Sequence, residues 1–227
     1  PAPAVAGQTP ATRKDGGGGE SADMTASQAL RTSAFWLISF GHGFTSMALL
    51  AIMAHLGLLM EDRGFPVQTA AWVVAVYTAV AMAFQLVGGY VGDRLSTRVA
   101  LFFFTSLQAG AVVLLTLATS LTTFFLFAVL FGMGFGGRNP LTVAIRGDYF
   151  GRTSFGKILG LSTVPMNLLL LVAAPLAGYM RDVQGDYEDA FRVLAALNFV
   201  GAILFLMAKR PAPSPASLRA GAAQPGD

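Results

Sequence analysis

The chain has no cysteine among its 227 residues, which excludes a disulfide framework and any thiolate metal or redox site. Charge is scarce too: 12% of the residues are Asp, Glu, Lys or Arg, where an ordinary soluble domain carries about 25%. No Asp or Glu stands in the middle of a long apolar run, so the side chain that most often carries protons through membranes is missing from those runs. Also absent are H-E-x-x-H, G-x-S-x-G and a Walker phosphate loop, so no catalytic residue, no metal ligand and no cofactor is assigned and the chain is not read as an enzyme. Gly16 to Gly19 follow no strand and precede no Lys-Thr, which makes them a linker. A net charge of +3 without basic-aromatic interleaving leaves nucleic acid out as a partner.

What is present is apolar: 54% of the chain is hydrophobic. Crossing about 30 Å of hydrocarbon at about 1.5 Å per residue takes roughly 20 apolar residues, and six runs meet that length: 34–60, 67–91, 99–118, 124–145, 157–180 and 190–208. Six all-round hydrophobic helices in so short a chain exclude a soluble core and predict an all-α membrane protein. The breaks are short, with Pro66 in one and Gly185-Asp186 in another. The Pro/Ala/Gly/Ser mixture of 1–33 and the Pro/Ala-rich 209–227 are expected to be disordered flanks of a six-helix body at 34–208. No apolar signal core precedes the body, and the start at Pro1 reads as that of a fragment.

Arg31, Arg94, Arg98, Arg146, Arg152, Lys157, Lys209 and Arg210 fall on one side of the expected crossings, against Arg63, Arg181 and Arg192 on the other. The positive-inside bias makes the first side cytoplasmic and puts both termini there, in a plasma-membrane protein. Two of the apolar runs end alike, in Gly89-Tyr90-Val91-Gly92-Asp93 and Gly178-Tyr179-Met180-Arg181-Asp182. Three crossings per copy would place these signatures on opposite faces, the trace of two inverted three-helix repeats in a secondary transporter.

Arg138 lies about 21 Å along the fourth run from Phe124 at about 1.5 Å per residue. A guanidinium at such depth costs about 2.5–3.5 kcal/mol on insertion scales, so it faces a cavity, pairs or snorkels. It either recognises an anionic substrate through bidentate contact with a carboxylate, or reaches headgroups or pairs with Asp148 or Asp93 as a latch. Gly132, Gly134, Gly136 and Gly137 lead into it, and Asn139-Pro140 follow; small residues permit close packing, and an interrupted helix lines a cavity. His42 is either a proton relay or polar cavity contact, or a neutral ring bonded to a neighbouring helix, and His55 is an interfacial residue. Gln85, Tyr77 and Asn167 either hydrogen-bond a substrate or hold helices together, and Pro165 and Pro175 predict a bend around Asn167. The third and sixth helices are expected to face lipid, and the other four to line the cavity.

Gly89-Tyr90-Val91-Gly92-Asp93-Arg94-Leu95-Ser96-Thr97-Arg98 resembles the cytoplasmic loop signature of the major facilitator superfamily, G-x-x-x-D-R-x-G-R-R, with Ser96 and Thr97 at the glycine and first basic positions. The stretches Gly132 to Pro140, Arg146 to Arg152 and Ala174 to Tyr179, with Asp182, Gly185, Tyr187 and Phe191, are similar to the last three helices of the oxalate/formate antiporter and monocarboxylate-transporter branch. The resemblance implies the carboxyl-terminal half of a twelve-helix fold, which works with a missing six-helix partner half in a lipid bilayer. It implies alternating-access movement of a small organic anion such as a monocarboxylate, with Gly89, Asp93, Arg94 and Arg98 as a conformational latch and Asp182 as its outer counterpart. A stand-alone six-helix protein that dimerises and a non-transporting membrane sensor are the alternatives. An intramembrane enzyme would need paired groups at depth where only His42 is available.

Overall fold

In the computed structural model, residues 24–212 are described. The expectations for 1–23 and 213–227 lie outside the described residues. Seven helices follow one another: α1 (Ala26–Leu30), α2 (Ser33–Asp62), α3 (Val67–Gly92), α4 (Thr97–Thr116), α5 (Leu121–Phe150), α6 (Phe155–Gln184) and α7 (Glu188–Met207). α2 to α7 are each long and apolar enough to cross a bilayer, so the six expected runs are six helices. With its hydropathy and the absence of strands among the described residues, the chain is a multi-pass integral membrane protein.

Local chemistry sets the ends of these helices. The Thr32 hydroxyl accepts the Phe35 N–H at the start of α2, and Ser120 does the same for Thr123 in α5. α2 stops before Pro66, and α6 stops at Gly185, whose φ of +88° is open to glycine and strained for other residues. α5 runs unbroken through Pro140, and α6 through Pro165 and Pro175. α1 corrects the expectation that all of 1–33 is disordered. Thr25 and Gln28 form a reciprocal capping box, and the Met24 N–H donates to the Phe150 carbonyl at 3.0 Å, tying this turn to the end of α5.

Packing follows the repeat seen in the sequence. α3 packs chiefly on α5, as α6 packs on α2; α4 packs on α5, as α7 packs on α2; and α4 and α7 pack on each other. Exchanging the triplet α2–α3–α4 for α5–α6–α7 leaves this set of pairings unchanged, and three crossings per triplet make the second copy inverted. This pairing is the one that the resemblance to half of a major facilitator fold implies. In α3 and α6 only 22% of the apolar window is buried inside the bundle, against 44–56% in the other four. The least covered helices are therefore the two related by the repeat.

Bare backbone brings α3 and α5 together. A Cβ on Gly132 or Gly136 would collide with the carbonyls of Tyr77 and Ala81 on α3, and one on Gly88 would collide with the carbonyl of Gly137. Such contacts replace side-chain burial as the source of attraction where lipid is as apolar as leucine. α4 and α7 turn apolar side chains such as Phe103, Val113, Phe199 and Ile203 outward. Their inner faces carry polar groups, with Thr105, Gln108 and Asn198 all buried there.

Gly136→Ala should lower stability by about 1–3 kcal/mol, because the helices must part to admit a methyl group. Gly110→Ala, on an open face of α4 with nothing within 4 Å, should stay within about 0.5 kcal/mol. Thermal unfolding of the two variants in detergent checks this contrast.

Candidate functional site

Two arginines of α5, Arg138 and Arg146, are each 1% exposed and rank among the largest fully buried side chains. Among the described residues neither forms an ion pair. Arg138 Nε donates to Gln108 Oε1 at 2.7 Å, the guanidinium lies 5.4 Å from the Phe135 ring centre, and Nη1 has no hydrogen-bond partner. Arg138 does not reach Asp148, which accepts from Thr97 at 3.2 Å and so ties the ends of α5 and α4.

Each nitrogen of the Arg146 guanidinium has a neutral acceptor. Its Nε donates to Ser162 Oγ at 2.7 Å, Nη1 to the Thr142 carbonyl one turn back, and Nη2 to His42 Nδ1 at 3.2 Å. An arginine only donates, so His42 Nδ1 is the acceptor and its proton sits on Nε2. The His42 ring is thus bonded to a neighbouring helix in its neutral form. Arg146, Thr142 and Ser162 were not legible as a cluster because the fourth run was ended at 145, which consigned Arg146 to the cytoplasmic flank. The helix continues to Phe150 and keeps Arg146 inside. The available signal was spacing: 138 and 146 are eight residues apart on one helix, little more than two turns. Gln108 gave no signal of its own because it is neutral and stands with Thr105 and Ser106 in an otherwise apolar stretch of its helix.

The remaining expected residues do not gather at one point. Asn139 and His42 are half-buried beside the two arginines in sequence and in space respectively. Tyr77 is buried, and its hydroxyl meets the Met53 sulfur on α2. Gln85 is exposed on the uncovered side of α3. Asn167 is exposed on α6, in a groove with Leu50, Val164, Leu168 and Leu171. These last two occupy faces that this half leaves open.

At the α3–α4 turn, Asp93 is exposed, the Arg94 guanidinium stacks 4.1 Å from the Tyr90 ring centre, and Arg98 and Gly89 are half-buried. At the opposite end, Asp182 is exposed and lies 4.0 Å from its neighbour Arg181, which pairs with Asp62 of α2 at 3.0 Å. His55, expected at the interface, joins three elements there. Its Nε2 donates to the Ala174 carbonyl at 3.0 Å, and its Nδ1 stands 3.2 Å from the Tyr187 hydroxyl. Burial holds that hydroxyl above its ordinary pKa, so it remains a donor. Arg63 places its guanidinium against the carbonyls of Leu115, Thr116 and Ala118, where the end of α4 is partially negative.

The Major Facilitator Superfamily profile matches residues 35–225. The chain belongs to that superfamily. It is 29% identical to monocarboxylate transporter 13 of Rattus norvegicus over 149 residues, which cover 65% of the chain and 35% of the rat protein. It is 25% identical to monocarboxylate transporter 2 of Homo sapiens over 177 residues, 76% of the chain and 37% of that protein. Monocarboxylate transporter 1 of Homo sapiens is 24% identical over 173 residues, 74% of the chain and 35% of that protein. The chain spans little more than a third of the length of these relatives. The major facilitator chain described here is monocarboxylate-transporter-like in sequence and carries the architecture of one half of the fold.

Ser162→Ala removes the acceptor of a buried charged donor and should cost about 1–3 kcal/mol. Thr163→Ala, whose hydroxyl bonds only the Gly160 carbonyl of its own helix, should stay within about 0.5 kcal/mol. Detergent melting curves of the pair distinguish a structural cluster around Arg146 from a solvated one.

Proposed function

We propose that this chain is the carboxyl-terminal half of a secondary transporter that moves a small organic anion, a monocarboxylate being the leading class, by alternating access. The observation that carries the reading is Arg138: a guanidinium at the level of the bilayer core, held by a neutral amide, with Nη1 free and no carboxylate bonded to it. A buried cation without a counterion is a demand for an anion, and a carboxylate meets it with charge-assisted hydrogen bonds. The names of the similar proteins, all monocarboxylate transporters, support the same class.

Arg138 is occluded within the half, so the anion meets it when α5 moves against α4. Pro140 supplies no N–H to the Gly136 carbonyl and gives α5 a place to flex beside Arg138. Asn139 and His42 flank the path. Gln85 and Asn167, on the open faces of α3 and α6, and the more deeply set Tyr77 complete the contacts toward a second six-helix half. Rocking of the halves about this level exposes the site to either side, and substrate biases the motion by its difference in affinity for the two states. Gly89, Asp93, Arg94 and Arg98 act as the cytoplasmic latch, with Asp182 as its outer counterpart.

In this reading both termini lie in the cytoplasm and the protein sits in the plasma membrane. The count of basic residues supports it: Arg94, Arg98, Arg152, Lys157, Lys209 and Arg210 flank one end of the spans, against Arg63, Arg181 and Arg192 at the other. With no carboxylate at depth in these spans, exchange of one anion for another or facilitated diffusion needs no further group from this half.

Arg138→Gln in the full-length protein, reconstituted in liposomes, should reduce uptake of radiolabelled lactate at least about tenfold, the equivalent of one lost charge-assisted contact. Arg192→Gln, at the exposed outer end, should leave uptake unchanged. Undiminished uptake by Arg138→Gln would remove the assignment.

A further inference from the structure

Gln108 stands at the centre of α4 with both ends of its amide engaged. Its Oε1 accepts from Arg138 Nε at 2.7 Å, and its Nε2 donates to the Thr45 carbonyl of α2 at 3.4 Å. The orientation of the amide follows from its partners, because an arginine only donates and a carbonyl only accepts. Gly134 makes the arrangement possible. A Cβ there would collide with the Gln108 backbone nitrogen, the Phe104 carbonyl and the Gln108 Cβ, so α5 approaches α4 at this level only without a side chain.

The choice of amide over carboxylate is what matters. A glutamate of the same shape would hold Arg138 by the same oxygen and would also cancel its charge. Glutamine satisfies Nε, fixes the plane of the guanidinium over Phe135, and leaves both the full positive charge and Nη1 for something else. We infer that Gln108 is the positioning residue of the anion site, which presents Arg138 edge-on to the substrate carboxylate while keeping the core cationic. This inference rests on the reading of Arg138 as the anion's partner. It adds α4, the helix that sequence alone assigned to lipid, to the binding machinery, and it ties three helices through one side chain: α2 at Thr45, α4 at Gln108 and α5 at Arg138.

The test uses the full-length protein in liposomes with radiolabelled lactate, beside detergent melting curves. Gln108→Glu should raise the KM for lactate at least about tenfold, with Vmax kept and the melting temperature equal or higher, because the new ion pair holds the helices together while it neutralises the site. A merely structural role predicts the same or better stability with unchanged KM. Gln108→Met keeps the volume and the core's charge but frees the guanidinium, and should also raise KM, by about threefold to tenfold. Wild-type KM in both variants, alongside lost uptake in Arg138→Gln, overturns the role of Gln108 and leaves the anion reading standing. Wild-type uptake in Arg138→Gln as well removes both.

Discussion

A positive charge set in hydrocarbon has few ways to exist, and the rest of this half-bundle is arranged around the one taken here. Arg138 neither snorkels to a headgroup nor meets a carboxylate; it is buried, bonded to the neutral Gln108, and left with an open donor. A guanidinium stays protonated where an ammonium would lose its proton, so the site remains cationic despite burial. Arg146 repeats the device on the same helix with Ser162, Thr142 and His42 as neutral acceptors. Two such side chains, neither paired with an acid among the described residues, leave the interior with an excess of positive charge.

Holding a helix that carries both charges requires close neighbours, and glycine supplies them. On one side Gly132 and Gly136 meet the backbone of α3; on another, Gly134 meets the backbone of α4. Contacts made by bare backbone are short-ranged, so they hold α5 close against both neighbours. Pro140, next but one after Arg138, removes one rung of the helical ladder at the same place. Close packing and a missing helical hydrogen bond thus fall on the same segment. The internal repeat then assigns the open faces: α3 and α6, equivalent under the exchange of triplets, are the least covered helices and carry Gln85 and Asn167 outward.

Most of the architecture was readable from hydropathy, because a bilayer admits only helices of a certain length and apolar side chains reveal them. The repeated Gly-Tyr-x-x-Asp signatures foretold the symmetric pairing of helices. Boundaries read from apolar runs fell short wherever a helix continued into polar residues, which is why Arg146 was placed outside. α1 was missed because its five residues are fixed by a capping box and a hydrogen bond to Phe150, neither of which produces periodicity. Arg138 announced itself as a lone charge in an oily run, but its partner did not. Gln108 is neutral, and which face of α4 turns inward depends on tertiary contact with Gly134, 26 residues away in sequence. A single residue in an apolar stretch reveals a site; the residue that tunes it becomes visible only once helices are packed.

The most direct measurement of the central claim compares ligands that differ in one charge. Purified full-length protein should melt at a higher temperature in the presence of lactate than without it, since a ligand that binds the native state stabilises it. Lactamide, of nearly the same size but neutral, should produce no shift. Equal stabilisation by the two, or stabilisation by lactamide alone, would show that the interior does not select for negative charge and would contradict the role given to Arg138.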